Sequence, residues 1–170
     1  MDFVPIIFKI EEEEFGIDIN YVDAVEMASG VDPAGIKSEN IKEEIDYRGK
    51  RIPVFNLKNK FGIKKKAHHK NEAQVNDCNV KKNEIDDDVR YIIVRTKEIH
   101  IAIYADSIEK IDVDSEKKLY DLPALIQSEA TQCYDKILKI GDRIVMILNI
   151  DQLLTKQEIK QIADQNRSTR

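Results

Sequence analysis

Apolar residues along this chain fall into short runs separated by charged or glycine-bearing breaks, a strand pattern more than a helical one. Pro5-Ile6-Ile7-Phe8-Lys9-Ile10 is followed by the charged stretch Glu11 to Glu14. Phe15-Gly16-Ile17-Asp18-Ile19 then alternates with period two, so Phe15, Ile17 and Ile19 share a face and the pair reads as a hairpin. Val22 and Val25 continue the apolar side, as a helical turn or as the next strand. Ala28 to Gly35, with Gly30, Pro33 and Gly35, reads as loop. Glu44 to Tyr47 and Arg51 to Phe55 flank Arg48-Gly49-Lys50, the signature of a tight hairpin. Pro53 lacks a backbone donor and predicts an edge or bulge at that point. Asn56 to Phe61 predicts a short helix, with Asn56 as N-cap, Leu57 and Phe61 on one face and Gly62 as the stop.

Residues 64–88 break the pattern. They hold six lysines and six acids against three sizeable aliphatics, Val75, Val80 and Ile85. Such a stretch reads as a charged, mobile loop dividing two subdomains, about 5–63 and 89–155 of a single domain spanning 5–155. Whether strands cross between the two halves is left open by the pattern. Strand-like runs resume at Tyr91 to Val94 and Ile99 to Ile103, followed by Ile108, Ile111 and Val113. Leu122 to Leu125 is a loop, and Ile137 to Ile140 with Arg143 to Leu148 forms a hairpin around Gly141-Asp142. A closing helix begins near Ile150, and residues 156–170 are its end and a tail that frays from Asn166 onward.

The halves resemble each other. Gly49-Lys50-Arg51-Ile52 and Gly141-Asp142-Arg143-Ile144 share the frame Gly-x-Arg-Ile, and Asn56-Leu57 and Asn149-Ile150 follow at similar distances. Short strands with frequent turns, present twice, predict two small β-barrels packed along an apolar seam, where partners tend to bind.

Charge and composition narrow the function. The chain has 170 residues, 42% apolar and 35% charged, with 27 basic and 32 acidic residues and a net charge of -5. That is about one domain of globular composition, without the basic excess of a general nucleic-acid binder. Two cysteines, Cys78 and Cys133, make no disulfide framework and fit a reducing compartment. The N-terminal stretch lacks the pattern of a signal peptide, and no apolar run approaches the ~20 residues that span a bilayer. The expectation is a soluble, cytoplasmic protein with no membrane insertion.

Candidate chemistry is sparse. Of three histidines, His68 and His69 fall in the charged loop and His100 on a strand face, so no Ser-His-Asp or Cys-His constellation stands out. His68, His69 and Cys78 match no structural zinc spacing, so no metal or other cofactor is expected. Lys64-Lys65-Lys66 is offset by Asp86-Asp87-Asp88 and has no aromatic stacking set beside it, as single-strand binding would need. A binding module that works without catalysis is the favoured class; an enzyme, a metal-binding module and a nucleic-acid-binding barrel are the competing ones.

In order along the chain, FGIDINYVDAVE, YRGKRIPVFNLKNKFG, HIAIYADSIEKI and IGDRIVMILNIDQLL resemble the CheW family of bacterial chemotaxis coupling proteins. The resemblance runs from about Phe8 to Leu154. It implies an all-β fold with short helices, two SH3-like five-stranded barrel subdomains and a C-terminal helix. It implies no catalysis and no cofactor, but an adaptor joining the cytoplasmic tips of methyl-accepting chemoreceptors to the regulatory domain of a CheA-type histidine kinase. A divergent adaptor of another receptor-kinase pathway, such as one serving type IV pili, is the alternative. The implied partner-binding residues are Val22 and Ala24; Asp46, Tyr47, Arg48 and Gly49, where Arg48-Gly49 matches the Arg-Gly of a receptor-facing turn; and Asp106 and Ile108, on the kinase-facing side. Ala24 stands where the family often has Glu, Asp46 and Tyr47 where it has Asn and Leu, and Glu43 and Lys136 where it has Gly.

Overall fold

The computed structural model describes residues 3–27, 30–64, 89–96, 99–109, 116–128 and 131–168. The elements are β1 (Pro5–Ile10), β2 (Glu13–Asp18), β3 (Val22–Met27), β4 (Val31–Pro33), β5 (Ile41–Tyr47), β6 (Lys50–Phe55), α1 (Leu57–Phe61), β7 (Arg90–Thr96) and β8 (Ile99–Ala105). They continue with β9 (Ser107–Glu109), β10 (Lys117–Asp121), β11 (Tyr134–Ile140), β12 (Arg143–Leu148), α2 (Ile150–Leu153) and α3 (Lys156–Ser168). The fold is all-β with short helices, in two SH3-like subdomains. The loop read over 64–88 lies, apart from Lys64, outside the described residues, as do Ile111 and Val113.

Strand pairing crosses between the halves of the chain. One sheet runs β10-β11-β12-β2-β1-β9 and the other β3-β7-β8-β6-β5-β4. The N-terminal hairpin thus joins the C-terminal strands, and β7 and β8 complete the sheet of the first half. Each sheet counts six strands rather than five, the three-residue strands β9 and β4 included. Reversing the second order gives β4-β5-β6-β8-β7-β3, the same arrangement as the first. In both, only the central joint is parallel, β12 with β2 and β6 with β8.

The repeat is therefore real, but its sequence frame is one residue out. Tyr47 pairs with Lys50 across Arg48-Gly49, and Ile140 with Arg143 across Gly141-Asp142. Lys50, not Arg51, is the counterpart of Arg143. Burial agrees: Ile52 is 3% exposed like its counterpart Val145 at 0%, whereas Ile144 is 62% exposed. Of the two readings for Pro53, the edge fails, because β6 lies inside its sheet, while β5 does bulge between Ile41 and Glu43, opposite Phe55 and Val54 just beyond the proline. The parallel ladder with β8 begins only at Val54, one residue beyond the proline, so the missing donor is tolerated.

The largest core lies where the two sheets meet. Phe8, Ile10, Phe15 and Ile17 of one sheet pack with Ile92, Val94, Ile101 and Ile103 of the other, together with Leu57, Ile150, Leu153 and Ile162 from the three helices. The expected seam is filled by the protein's own side chains. Behind it each sheet encloses a smaller core, Ile7, Leu138, Val145 and Ile147 in one and Ile45, Tyr47, Ile52, Val54, Tyr91, Ile93 and Ala102 in the other. Strands β1 and β7 bury both faces, which explains why PIIFKI and YIIVRT read as continuous runs. Ile19 leaves the face of Phe15 and Ile17, because the chain turns into a 3-10 segment at Ile19–Tyr21 on its way to the other sheet.

The closing helix is two helices. Thr155 and Glu158 form a capping box: the Glu158 N–H donates to Thr155 Oγ1 at 3.2 Å and the Thr155 N–H to Glu158 Oε2 at 2.9 Å. Glu158 is buried, and its other oxygen accepts from Ser38 Oγ at 2.7 Å and Asn40 Nδ2 at 3.3 Å, fastening α3 to the loop before β5. The helix continues through Ser168, past the point where the sequence suggests fraying. By contrast, α1 forms as read: Asn56 caps the Asn59 N–H at 3.1 Å, and Gly62 closes the helix at φ 64.

Candidate protein-interaction surface

The β5–β6 turn is the sharpest local feature. Arg48 and Gly49 take φ values of 53 and 77, the pair of left-handed conformations that a type I′ hairpin requires. Glycine adopts this freely, but arginine does so at a cost. Asp46 steadies the turn by accepting the Gly49 N–H at 3.2 Å. Tyr47 buries its ring in the core of its sheet, and the Arg48 guanidinium lies 5.0 Å from that ring's centroid. Among the described residues no hydrogen bond or ion pair engages that guanidinium, so it is not tying down a local carbonyl. The turn thus presents an exposed, planar, five-donor cation on a stiff platform.

Val22 and Ala24 lie on β3, at the outer edge of the same sheet. A bulge between them leaves Asp23 as the extra residue. Asp23 Oδ2 is 2.7 Å from His100 Nε2, and its other oxygen is 3.8 Å from Arg95 Nε. Ala24 packs on the cluster that holds Tyr47, so the structure brings the β3 edge and the hairpin onto one sheet core.

Asp106 and Ile108 lie on the other sheet, at the β8–β9 corner. Asp106 Oδ2 accepts the Glu11 N–H at 2.6 Å, and its own N–H donates to the Lys9 carbonyl at 2.9 Å, bracing the β1–β2 turn where Glu11 has φ 54. The Glu11 carboxylate in turn takes Lys58 Nζ at 2.6 Å, linking the turn to α1. Ile108 pairs with Phe8 and is half-buried against the shared core. The eight residues therefore fall into two groups, Val22, Ala24 and Asp46 to Gly49 on one sheet, Asp106 and Ile108 on the other.

Sequence reasoning missed the ion cluster on the concave face of the β9 sheet. Arg143, at the start of β12, donates to Glu14 through Nε at 3.2 Å and Nη2 at 2.7 Å. It also holds both oxygens of Glu109, with Nη1 at 2.8 Å. These bonds raise the Arg143 pKa above its ordinary value, and the guanidinium lowers that of Glu109. The frame Gly-x-Arg-Ile drew attention to Arg143, but no sequence signal marks partners so far away in the chain.

Nothing among the described residues resembles a reactive centre. No group of three or more His, Cys, Asp or Glu is placed to hold a metal. Cys133 is buried, with its thiol 3.6 Å from the Gln152 carbonyl, and burial pushes its pKa up, away from thiolate chemistry. A cavity of about 330 Å³ beside α2 is lined by Tyr21, Asp135, Ile147 and Asp151 among others. Asp151 is committed there to Tyr21 Oη at 3.0 Å and Thr96 Oγ1 at 2.7 Å, and this bond raises the Tyr21 pKa. His68, His69, Cys78, Lys65, Lys66 and Asp86 to Asp88 lie outside the described residues. No helix among the described residues is long and apolar enough to cross a membrane.

Two pseudo-equivalent β subdomains and, among the described residues, a hairpin-tip cation with no hydrogen-bond or ion-pair partner and open strand edges define a protein-binding module. The chain belongs to the CheW family: the family model described as the CheW-like domain matches residues 6–158. It is 18% identical over 162 residues to the chemotaxis protein CheW of Treponema pallidum (strain Nichols), covering 95% of this chain and 88% of that one. Its structure resembles the crystal structure of the scaffolding protein TtCheW from Thermoanaerobacter tengcongensis, with TM-score 0.66, 26% identity, and 90% and 92% of the two chains covered. The protein is a non-enzymatic adaptor or scaffold of the chemotaxis type.

Proposed function

We propose that this protein couples the cytoplasmic tips of methyl-accepting chemoreceptors to the regulatory domain of a CheA-type histidine kinase, at receptor arrays on the inner face of the membrane. The observation that carries this reading is Arg48: an exposed guanidinium stacked on Tyr47, with no hydrogen-bond or ion-pair partner among the described residues, held in a left-handed conformation by the hairpin. Strained residues persist where the surrounding fold over-determines them, and such places are often binding sites. An anchor fixed before contact loses little side-chain entropy on binding. Arg48, with Asp46, Tyr47 and Gly49, forms the receptor-facing turn; Val22 and Ala24 extend that surface along β3. Asp106 and Ile108 belong to the kinase-facing edge, Asp106 by shaping the corner and Ile108 through the part of its side chain left outside the core. Signal transfer then needs only a coupling free energy of about 1–3 kcal/mol between the two contacts.

Calorimetric titration into the regulatory domain of a CheA-type kinase from the same organism tests the kinase half. One-to-one binding at about micromolar Kd supports it, and absence of binding by folded protein refutes it. For the receptor half, Arg48→Glu is expected to weaken co-sedimentation with receptor signalling fragments while the melting temperature stays close to that of the parent. A large fall in melting temperature would make Arg48 structural instead.

A further inference from the structure

The β9 strand is poorly secured by its backbone. Its ladder to β1 has three pairs, Ile7 with Glu109, Phe8 with Ile108 and Lys9 with Ser107, and among the described residues no strand pairs with its other side. Strands this short at an edge open readily. What reaches it from elsewhere is Arg143, three strands away in sheet order. Val145 and Ile147 of β12 face the small core of this sheet, so Arg143, two residues before Val145, lies on that face as well. Ile7 faces the same core, and Glu109 stands opposite Ile7. Arg143 thus spans the concave side of the sheet and pins Glu109, while Glu14 occupies the rest of its fork and keeps Lys9 at 3.6 Å. The counterpart edge in the other sheet, β3, has a different clasp: Asp23 held by His100, where His100 takes the place in β8 that Glu14 takes in β2.

We infer that Arg143 is a positioning residue: by fixing Glu109 it holds β9, and with it Ile108, in the register that the kinase partner meets. This rests on the reading of β9 as a kinase-facing edge. A lysine cannot replace the arginine, because one ammonium does not grip two carboxylates in fork geometry. If β9 without its pin is in place about one-tenth of the time, apparent affinity falls about tenfold, since binding must first select the ordered strand.

The test uses the full chain, with amide hydrogen exchange of β9 and calorimetric titration into the kinase regulatory domain. Arg143→Gln is expected to accelerate exchange at Ser107 to Glu109 and to weaken binding about tenfold, with the melting temperature little changed. Arg143→Lys recovers only part of either. Glu109→Gln cuts the same pair from its other end, and in the Arg143→Gln background it adds nothing further. Unchanged β9 exchange in Arg143→Gln and Glu109→Gln overturns the inference. So does faster exchange with undiminished affinity, provided that Ser107→Arg, a bulky charge placed directly on the exposed edge, blocks binding. If folded Ser107→Arg binds as well as the parent, the edge is not the kinase surface, and the failure belongs to that reading, taking the inference with it.

Discussion

Gly16 stands at the parallel joint between the N-terminal hairpin and the C-terminal strands, and the space it leaves can be measured. A Cβ at this position would lie 2.5 Å from Cδ1 of Ile147, while its next neighbours, Val145 Cγ1 at 3.5 Å and the Ile6 carbonyl oxygen at 3.8 Å, are at ordinary contact distance. One methyl therefore accounts for the whole conflict. Ile147 is 1% exposed, so that methyl has no solvent to swing into. Gly16→Ala should destabilise the fold by about 1–3 kcal/mol, the usual cost of overpacking. Ile147→Val removes Cδ1 and by itself should cost about 0.5–1.5 kcal/mol. Combined, the clash is gone, and the alanine restricts the unfolded chain, returning about 0.4–1 kcal/mol. The double variant should then be about as stable as Ile147→Val alone, a coupling of about 1–3 kcal/mol. Urea midpoints of the four proteins close the cycle, and each kcal/mol corresponds to about 2–4 °C in melting temperature for a chain of this size. Additive losses, or a neutral Gly16→Ala, would refute the argument that this joint is set by a single methyl contact.

Glu158→Ala removes a buried carboxylate that closes the α3 capping box and accepts from Ser38 and Asn40. A lost cap of about 1 kcal/mol plus charged hydrogen bonds of about 1.5–3 kcal/mol predicts a loss near 3 kcal/mol in urea unfolding, and a loss under about 1 kcal/mol would mean that α3 is held by its apolar face alone. Tyr134 gives an alkaline prediction: burial pushes its phenol from 10.0 up to about 12. The unfolded chain sheds that proton first, so this contribution is intact below pH 10 and declines as pH rises toward 12, by at most about 1.4 kcal/mol per pH unit. Tyr134→Phe should flatten that limb, and an unchanged slope in urea midpoints measured across it would reject the assignment.

Local rules made much of the fold legible. Asn56, Leu57, Phe61 and Gly62 define α1 within one stretch of chain, and the hairpin around Arg48-Gly49 is written in its own turn residues. Thr155-Lys156-Gln157-Glu158 is an equally local capping signature, overlooked because the apolar spacing from Ile150 runs straight through it. The candidate surface was legible only as residue types. That Asp106 would be committed to Glu11 and Lys9, while Arg48 would meet no hydrogen-bond or ion-pair partner among the described residues, depends on groups distant in sequence.

By itself the sequence determined most of the strands, the hairpin turns, the short helix and the existence of the twofold repeat, because alternation, caps and glycine positions act within a few residues; it left β3 open between turn and strand, read the stretch holding β4 as loop, and gave no alternating signal for the exposed β10. Sheet membership came only from the tertiary structure. The hairpin of β1 and β2 is apolar enough to fit either sheet, and its choice of β12 over β6 is made by contacts such as Gly16 against Ile147 and the row of stacked rings Phe8, Phe15, Phe61 and Tyr134, with centroids 4.9 to 5.7 Å apart. Those contacts join residues from both ends of the chain. They exist only when both sheets close on one core, and periodicity along a single strand carries no record of which distant strand lies beside it.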